Sequence, residues 1–223
     1  MDWLMQFFDF VVHLDQQKLA GLIAQFGPWF YGLMFLIIFC ETGLVVTPFL
    51  PGDSLLFALG TLCVGSQIDL TTMLVLLCVA AILGDSVNYW IGSLLGPRIF
   101  RGENVRFLNR KHLDKAHAFF EKYGAKTIIL ARFMPIIRTF APFVAGMGKM
   151  NYGKFMLYNV VGGVIWVGSF LFLGRWFAGM PIVEKNFKLV ILGIIVVSVL
   201  PGVIEVLREW HKSRAPAPAK VGS

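Results

Sequence analysis

The chain has 223 residues, of which 57% are hydrophobic and only 15% are charged. Soluble domains contain about 45–50% apolar and about 25% charged residues, so this composition excludes an ordinary soluble domain and predicts an integral membrane protein. Its apolar runs are continuous rather than alternating, which excludes a β-barrel and predicts an all-α fold. The formal net charge of +7 comes largely from one loop and the tail. Membrane orientation explains that charge, and we expect no nucleic-acid partner.

The N-terminal segment, residues 1–25, carries apolar residues at helical spacing among polar ones, which predicts an interfacial amphipathic helix or helix pair. Two apolar runs follow, Trp29–Cys40 and Ser54–Val64. Each is shorter than the ~20 residues that a spanning helix needs. Pro48, Pro51 and Gly52 separate the runs, so one continuous helix is not expected there. The sequence therefore predicts a re-entrant hairpin, and Glu41 and Asp53 beside the break are two acids at membrane depth.

The segment Met73–Leu95 is long enough to span the membrane. Its Asp85 and Asn88 are three residues apart, so they share one helix face, which we expect to look inward. The basic loop from Gly96 to Lys126 follows, and its Lys and Arg residues predict a cytoplasmic location. A second amphipathic helix is predicted within this loop, ending at Gly124.

A second broken apolar run extends over residues 127–148 and carries Arg132 and Arg138 at membrane depth. The segments Phe155–Phe177 and Lys188–Leu207 are each predicted to span the membrane. The basic, proline-rich tail, residues 209–223, is predicted to be disordered and cytoplasmic. The residues expected to interrupt helices in the two broken runs are prolines and glycines, namely Pro48, Pro51, Gly52, Pro135, Pro142 and Gly146.

The order amphipathic helix, broken hairpin and transmembrane helix occurs twice, at about 1–95 and about 110–177. The first spanning helix must end at the cytoplasmic loop and the second must begin there, so the copies are inverted. With one extra C-terminal transmembrane helix at 188–207, this predicts a single membrane domain over 1–208. The N-terminus is then outside and the C-terminus inside.

The hypothesis for the site is that the two hairpins enter from opposite faces and meet. Glu41 and Asp53 would hold Arg132 and Arg138 in the empty protein, and an anionic phosphate would replace the acids, because guanidinium forks bind phosphate well. Protonation of the acids would release the arginines and couple transport to a proton gradient. Asp85 could take part in the site or only form a hydrogen bond across a helix interface, and the sequence leaves both open. Asn88 and Thr139 are further secondary candidates for the site.

Other functions remain open from the residues alone. Static ion pairs that only join the hairpins, a proton-coupled small-cation or drug antiporter, and a non-transporting assembly scaffold are the alternatives. The histidines lie outside the apolar runs and no Gly-x4-Gly-Lys nucleotide loop is present, so we expect no metal, no cofactor and no enzymatic activity. The oligomeric state is open, a homodimer included.

Three motifs carry a resemblance to a known family: Glu41-Thr-Gly, Pro48-Phe-Leu-Pro-Gly-Asp-Ser, and Arg132-Phe-x-Pro-x-x-Arg138-Thr139-x-x-Pro142-x-x-Ala-Gly146. With them the chain resembles the DedA family, related to eukaryotic VTT-domain lipid scramblases.

That resemblance implies a multi-pass bacterial inner-membrane protein with two opposed re-entrant hairpins that depends on the proton motive force. It also implies flipping of lipid phosphates, best exemplified by the return of undecaprenyl phosphate to the cytoplasmic leaflet; phospholipid scrambling is a related possibility. The family's essential acids and arginines fall on Glu41, Asp53, Arg132 and Arg138. The partners it implies are an anionic membrane lipid, polyprenyl phosphate or phospholipid, and protons.

Overall fold

The computed structural model describes residues 25–44, 52–64, 68–100 and 124–181, together with residues 21 and 23 and a few residues between 183 and 194. Every secondary-structure element in these ranges is helical, which confirms the all-α prediction. The N-terminal amphipathic segment, Pro48, Pro51, most of the basic loop, most of 188–207 and the tail lie outside the described residues. The structures predicted for these segments stay predictions. The predicted domain limits stay predictions as well.

Helices α1 (Trp29–Gly43) and α2 (Gly52–Leu62) form on the first two short apolar runs. At 1.5 Å per residue they measure about 22 and about 16 Å, so neither crosses the ~30 Å hydrocarbon core alone. Helix α1 begins shortly after Gly27, whose φ of +50° lies in the left-handed region that glycine adopts readily. It ends because Leu44 takes up an extended conformation, with φ of −102° and ψ of 115°.

Two long helices, α3 (Leu70–Phe100) and α6 (Tyr152–Phe177), fall on the predicted spanning segments. Both contain a stretch that is long and apolar enough to cross a membrane. Each begins three residues earlier than predicted because a side chain caps it: the Asp69 carboxylate accepts the Thr72 N–H at 2.6 Å, and Asn151 does the same for Lys154. Hydrogen bonds from the Thr72 hydroxyl and N–H also hold the pKa of Asp69 below its usual range.

The second broken run forms a 3₁₀ turn, Gly124–Lys126, followed by α4 (Thr127–Ala131) and α5 (Pro135–Met147). The interruption falls at Met134, which is extended, because a residue before proline is pushed out of helical geometry.

The predicted breaks at Pro142 and Gly146 are wrong, since both residues lie inside α5. A proline within a helix removes one hydrogen bond, here the one to the carbonyl of Arg138. Packing of α5 along α3 holds the helix together across that gap.

Helices α1 and α5 lie end to end along α3. At one end of α3 the Asp69 N–H donates to the Tyr31 hydroxyl at 3.0 Å, whereas Gly43 lies against Gly84. Helix α1 therefore runs along the first part of α3 in the same direction. Further along α3, Phe143 lies against Gly92 and Met147 against Gly96, so α5 continues in that direction.

Helices α4 and α2 are arranged along α6 in the same manner. The backbone of Ile129 in α4 lies against Gly162, in the first half of α6. Helix α2 follows further along, with its Asp53 at Trp166 and its Phe57 at Gly174. Each long helix is thus flanked by two short helices that meet near its middle.

Glycines allow the closest of these contacts. A Cβ atom on Gly60 would lie 2.2 Å from the Leu171 carbonyl oxygen, and one on Gly174 would lie 2.1 Å from that of Phe57. The contact of α3 with α5 has the same construction: a Cβ on Gly92 would lie 2.0 Å from the Phe143 oxygen. Small residues at such positions are typical of helix packing in membranes.

The outward faces of the long helices are apolar. Large exposed side chains on α3 recur every three or four residues, namely Val75, Val79, Leu83, Val87, Trp90 and Leu94. A water-soluble surface rarely carries such a stripe, whereas contact with lipid accounts for it. The membrane location predicted from composition therefore agrees with the distribution of exposed residues.

Gly146→Ala tests the close packing of α5 on α3. The added Cβ would lie 1.9 Å from the Tyr89 carbonyl oxygen, and neither backbone can yield cheaply. We expect a loss of at least about 1–3 kcal/mol in the free energy of unfolding, as for other overpacked sites. Gly32→Ala is the control, because a Cβ at Gly32 meets nothing within 4 Å. Equal thermal unfolding midpoints for the two purified variants would contradict this packing.

Candidate functional site

The first ion-pair group forms where short helices end. Glu41 lies in the last turn of α1, Asp53 in the first turn of α2, and Arg138 in the first turn of α5. Arg138 Nη2 lies 2.6 Å from Glu41 Oε1, and its Nη1 lies 2.8 Å from Asp53 Oδ1. All three residues are buried, with 7% or less of their surface exposed. One guanidinium therefore joins the two acids of the first broken run.

Both carboxylates accept a further hydrogen bond. The Gly52 N–H donates to Glu41 Oε1 at 3.1 Å, and the Trp166 indole N–H donates to Asp53 Oδ1 at 2.8 Å. A Cβ on Gly52 would lie 1.9 Å from Glu41 Oε2, so only glycine fits there without displacing the carboxylate. Gly52 was predicted only to interrupt the helix, and the structure corrects this by making it a direct neighbour of the site.

The second ion-pair group is centred on Arg132, which follows the last residue of α4. Arg132 Nη2 lies 2.6 Å from Asp85 Oδ2 of α3 and also donates to Asn159 Oδ1 of α6. The Asn159 amide in turn donates to the Ile82 carbonyl oxygen at 3.0 Å. The side chains of Arg132, Asp85 and Asn159 are almost fully buried. Arg132 is thus held between the two long helices.

Trp166 connects the two ion-pair groups. Its ring centroid lies 4.7 Å from the Arg138 Cζ and 5.9 Å from the Arg132 Cζ, both within the range of cation–π attraction. We call Glu41, Asp53, Asp85, Arg132 and Arg138 the charged cluster.

Asn88 bridges the two short helices that meet on α3. Its side-chain amide donates to the Thr42 carbonyl oxygen at 3.2 Å and to the Thr139 carbonyl oxygen at 2.8 Å. Thr42 is near the end of α1, where carbonyls lack helical partners. Asn88 therefore fixes the junction that brings Glu41 close to Arg138.

The structure brings all four predicted residues of the site together but pairs them differently. Glu41 and Asp53 share Arg138, whereas Arg132 pairs with Asp85, which was only a secondary candidate. Asp85 and Asn88 face inward, as predicted. The functional roles given to all of these residues stay predictions.

Trp166 and Asn159 also belong to the site, although the sequence did not predict a role for either. Asn159 is a polar amide inside an otherwise apolar spanning segment, which is the same signal that identified Asn88. Trp166 offered no such signal, because tryptophan is common in membrane helices.

Several polar atoms of the charged cluster lack a hydrogen-bond partner among the described residues: Arg132 Nε and Nη1, Arg138 Nε, Glu41 Oε2 and Asp85 Oδ1. An unsatisfied buried group costs about 1–3 kcal/mol, so these atoms favour a ligand or a proton. The arginine donors suit the oxygens of a phosphate or a carboxylate.

The chain is similar to known proteins along nearly its whole length. The family model of the VTT domain matches residues 50–176. The chain is 55% identical to Protein DedA of Escherichia coli K12, covering 99% of this chain and 100% of that protein. It is 42% identical to an uncharacterized membrane protein of Mycobacterium tuberculosis H37Rv, over 90% of this chain and 89% of that protein. Identity to the inner membrane protein YqjA of Escherichia coli K12 is 34%, over 70% of each chain. No solved structure gave a significant match.

Asn88→Ala tests the bridge between the short helices. Two buried carbonyl groups would lose their donor, so we expect the free energy of unfolding to fall by about 2 kcal/mol. Val87→Ala, on the exposed side of the same helix turn, should change it little. Denaturant unfolding of the purified proteins measures both, and an unchanged stability in Asn88→Ala would remove the bridge.

Proposed function

Since this chain belongs to the DedA family of VTT-domain membrane proteins, we propose that it transports an anionic lipid phosphate, undecaprenyl phosphate in the first instance, across the bacterial inner membrane. The observation that carries the proposal is the pair of buried arginines, which contact three acids and keep N–H donors without a partner among the described residues. The protein acts as a carrier and makes or breaks no covalent bond in this proposal.

Buried arginines explain the choice of an anionic substrate. A guanidinium without a counter-charge at membrane depth is very unfavourable, so Arg132 and Arg138 need acids when the site is empty. A phosphate group can replace a carboxylate at the same donors, because both bind guanidinium groups in bidentate fashion. Exchange between acid and phosphate keeps the arginines paired throughout the transport cycle.

Helix ends add to the attraction. The N-terminal ends of α2 and α5 carry the residues Asp53 and Arg138, and the Gly52 N–H already donates to a carboxylate oxygen. The positive end of the helix dipole favours anions there. Broken helices whose ends meet at a substrate site are also a recurrent arrangement in transporters.

An inverted repeat fits the packing of the short helices. The contacts of α1 with α3 and of α2 with α6 correspond to those of α4 with α6 and of α5 with α3. Gly27 and Gly124, which precede the two broken runs, both have a left-handed φ. In the proposed topology the short-helix pairs are opposed re-entrant hairpins, the basic loop and C-terminus are cytoplasmic, and the N-terminus is periplasmic.

Proton coupling follows from the acids in this proposal. The charged cluster contains three acids and two arginines, Glu41, Asp53 and Asp85 against Arg132 and Arg138. Protonating an acid of the cluster would weaken its hold on an arginine. A proton gradient would thereby change how readily phosphate replaces the acids.

A proton-coupled antiporter of small cations or drugs is the second candidate on the same acids. It would need carboxylates free to bind a cation, whereas all three acids of the cluster pair with arginine. Phosphate is therefore the better fit to this arrangement.

Liposome reconstitution tests the proposed function. A fluorescent polyprenyl phosphate is followed beside a labelled zwitterionic phospholipid, with and without a pH gradient. We expect Arg132→Gln and Arg138→Gln each to slow polyprenyl phosphate transport by at least about tenfold, because a charge-assisted hydrogen bond contributes ~1.5–3 kcal/mol. Arg175→Gln, which alters an exposed arginine at the end of α6, is the matched control.

The other outcomes separate the alternatives. Equal movement of both lipids, independent of the gradient, would indicate a phospholipid scramblase. Flux of a cation without lipid movement would indicate an antiporter. A scaffold would move neither lipid, and its folding would tolerate Arg138→Gln combined with Glu41→Gln, which removes both charges of one ion pair. Unchanged polyprenyl phosphate transport in both arginine variants would rule out the assignment of the phosphate site.

A further inference from the structure

The described helices fall into two groups by their closest backbone contacts. We call α1, α3 and α5 the α3 body, and α2, α4 and α6 the α6 body. Gly84 lies against the backbone of α1 and Gly92 against that of α5, both within the α3 body. Gly162 lies against the backbone of α4 and Gly174 against that of α2, both within the α6 body. At the described glycines, every close approach of one helix backbone to another lies inside a single body.

Helices α3 and α6 also pack on each other, but at the described glycines that face the other body the nearest atoms belong to side chains. A Cβ on Gly163 of α6 would lie 3.2 Å from the Ile82 Cγ1 of α3, and the neighbour of Gly52 is the Glu41 carboxylate. Side chains can change partners, whereas helix backbones in contact cannot separate without losing their packing. The interface between the bodies is therefore the place where the fold can open.

The bodies are not the two halves of the sequence. Helix α2 follows α1 along the chain but packs on α6, and α5 follows α4 but packs on α3. The turn at residues 132–134 consequently leads from the α6 body into the α3 body. Relative movement of the bodies would bend the chain at the interruptions between short helices.

The charged cluster joins the bodies reciprocally. Arg138 of the α3 body pairs with Asp53 of the α6 body, and Arg132 of the α6 body pairs with Asp85 of the α3 body. Each arginine also has a polar partner in its own body, Glu41 for Arg138 and Asn159 for Arg132. An arginine that leaves its cross-body acid therefore keeps one partner.

We propose that the ion pairs Arg138–Asp53 and Arg132–Asp85 join the two bodies in the empty protein, and that a lipid phosphate separates them by taking the places of Asp53 and Asp85. This inference rests on the proposed lipid-phosphate substrate. It makes Asp85 a positioning residue that acts through Arg132. Glu41 and Asn159 hold the arginines within their bodies while the acids exchange.

Kinetics of Asp85→Asn test the role of Asp85. Without its cross-body acid, Arg132 is available to phosphate at all times, so the KM for fluorescent polyprenyl phosphate should fall by at least about fivefold, a typical coupling between linked equilibria. The maximal rate should fall as well, because nothing displaces the phosphate on release. Asp85→Glu should restore both values, and Asp69→Asn, at an exposed acid that caps the same helix, should leave both unchanged. A KM that stays the same or rises would overturn the role.

Disulfide cross-links test the movement of the bodies. In a background with Cys40, Cys63 and Cys78 changed to alanine, Ile82→Cys with Gly163→Cys links the two bodies, and Gly96→Cys with Met147→Cys links two helices of the α3 body. A Cβ on Gly163 would lie 3.2 Å from Ile82 Cγ1, and one on Gly96 would lie 2.9 Å from Met147 Cγ. A cysteine sulfur takes nearly the same place as Cγ, so both pairs are within reach of a disulfide.

Oxidation should stop polyprenyl phosphate transport in the first pair, and reduction should restore it. The second pair should transport equally well in both states. The inference would be overturned if the oxidised first pair transported as fast as its reduced form. It would also be overturned if oxidation of the second pair stopped transport. The reduced proteins control for the substitutions themselves.

Distance measurements separate failure of this inference from failure of the proposed function. Spin labels at Val79 and Val161 report between the bodies, and labels at Trp29 and Val75 report within the α3 body; all four side chains are exposed. Asp85→Asn should broaden only the first distance distribution, without any lipid phosphate present. Unchanged distributions would overturn the inference. If Asp85→Asn broadens the distribution but the unsubstituted protein moves no lipid phosphate, the inference about the two bodies stands. The proposed substrate is then refuted.

Discussion

The fold depends on one buried guanidinium, that of Arg138, shared by two carboxylates. Moving a charge from water into a protein interior costs several kcal/mol even after relaxation, so the buried Arg138 requires acids in direct contact. Glu41 and Asp53 meet this requirement from different short helices. Uninterrupted spanning helices can bring side chains together only along their sides, and not at their ends. Interrupting the helices lets their ends converge on one point, which accounts for the breaks in both apolar runs.

Convergence of helix ends places two charges against the dipoles of their own helices. Glu41 lies in the last turn of α1, where the dipole is negative, and Arg138 lies in the first turn of α5, where it is positive. Each charge is compensated by the facing helix rather than by its own. Such local conflict is typical of functional sites, where a residue is retained for its role although a neutral residue would suit the helix better.

Much of this architecture follows from the sequence in physical terms. Length and hydropathy identify the two long helices, and prolines with short apolar runs identify the broken ones. Ionisable residues at depth indicate the site, since such residues are costly unless paired. The pairing itself was not predictable. Asp85 and Asn88 share a face of α3, but only the packing determines that Asn88 meets the ends of α1 and α5 while Asp85 meets Arg132.

Local propensity failed where packing overrides it. Pro142 and Gly146 have the composition of a helix break, yet α5 continues through both because Gly146 permits contact with Tyr89. The prediction for Gly52 was incomplete for a related reason. A glycine at the start of a helix looks like a simple interruption, and nothing in the sequence reveals that a carboxylate occupies the space next to it.

The exchange of short helices between the long ones has a consequence for biosynthesis. Helix α2 packs on α6, which the ribosome completes on the order of ten seconds later at bacterial speeds of synthesis. Asp53 has neither Arg138 nor Trp166 as a partner until residues 138 and 166 have been made, so the nascent first half lacks two groups that contact this acid in the folded protein. The insertion machinery must therefore accommodate this short, acid-bearing segment before its partner helix has been made.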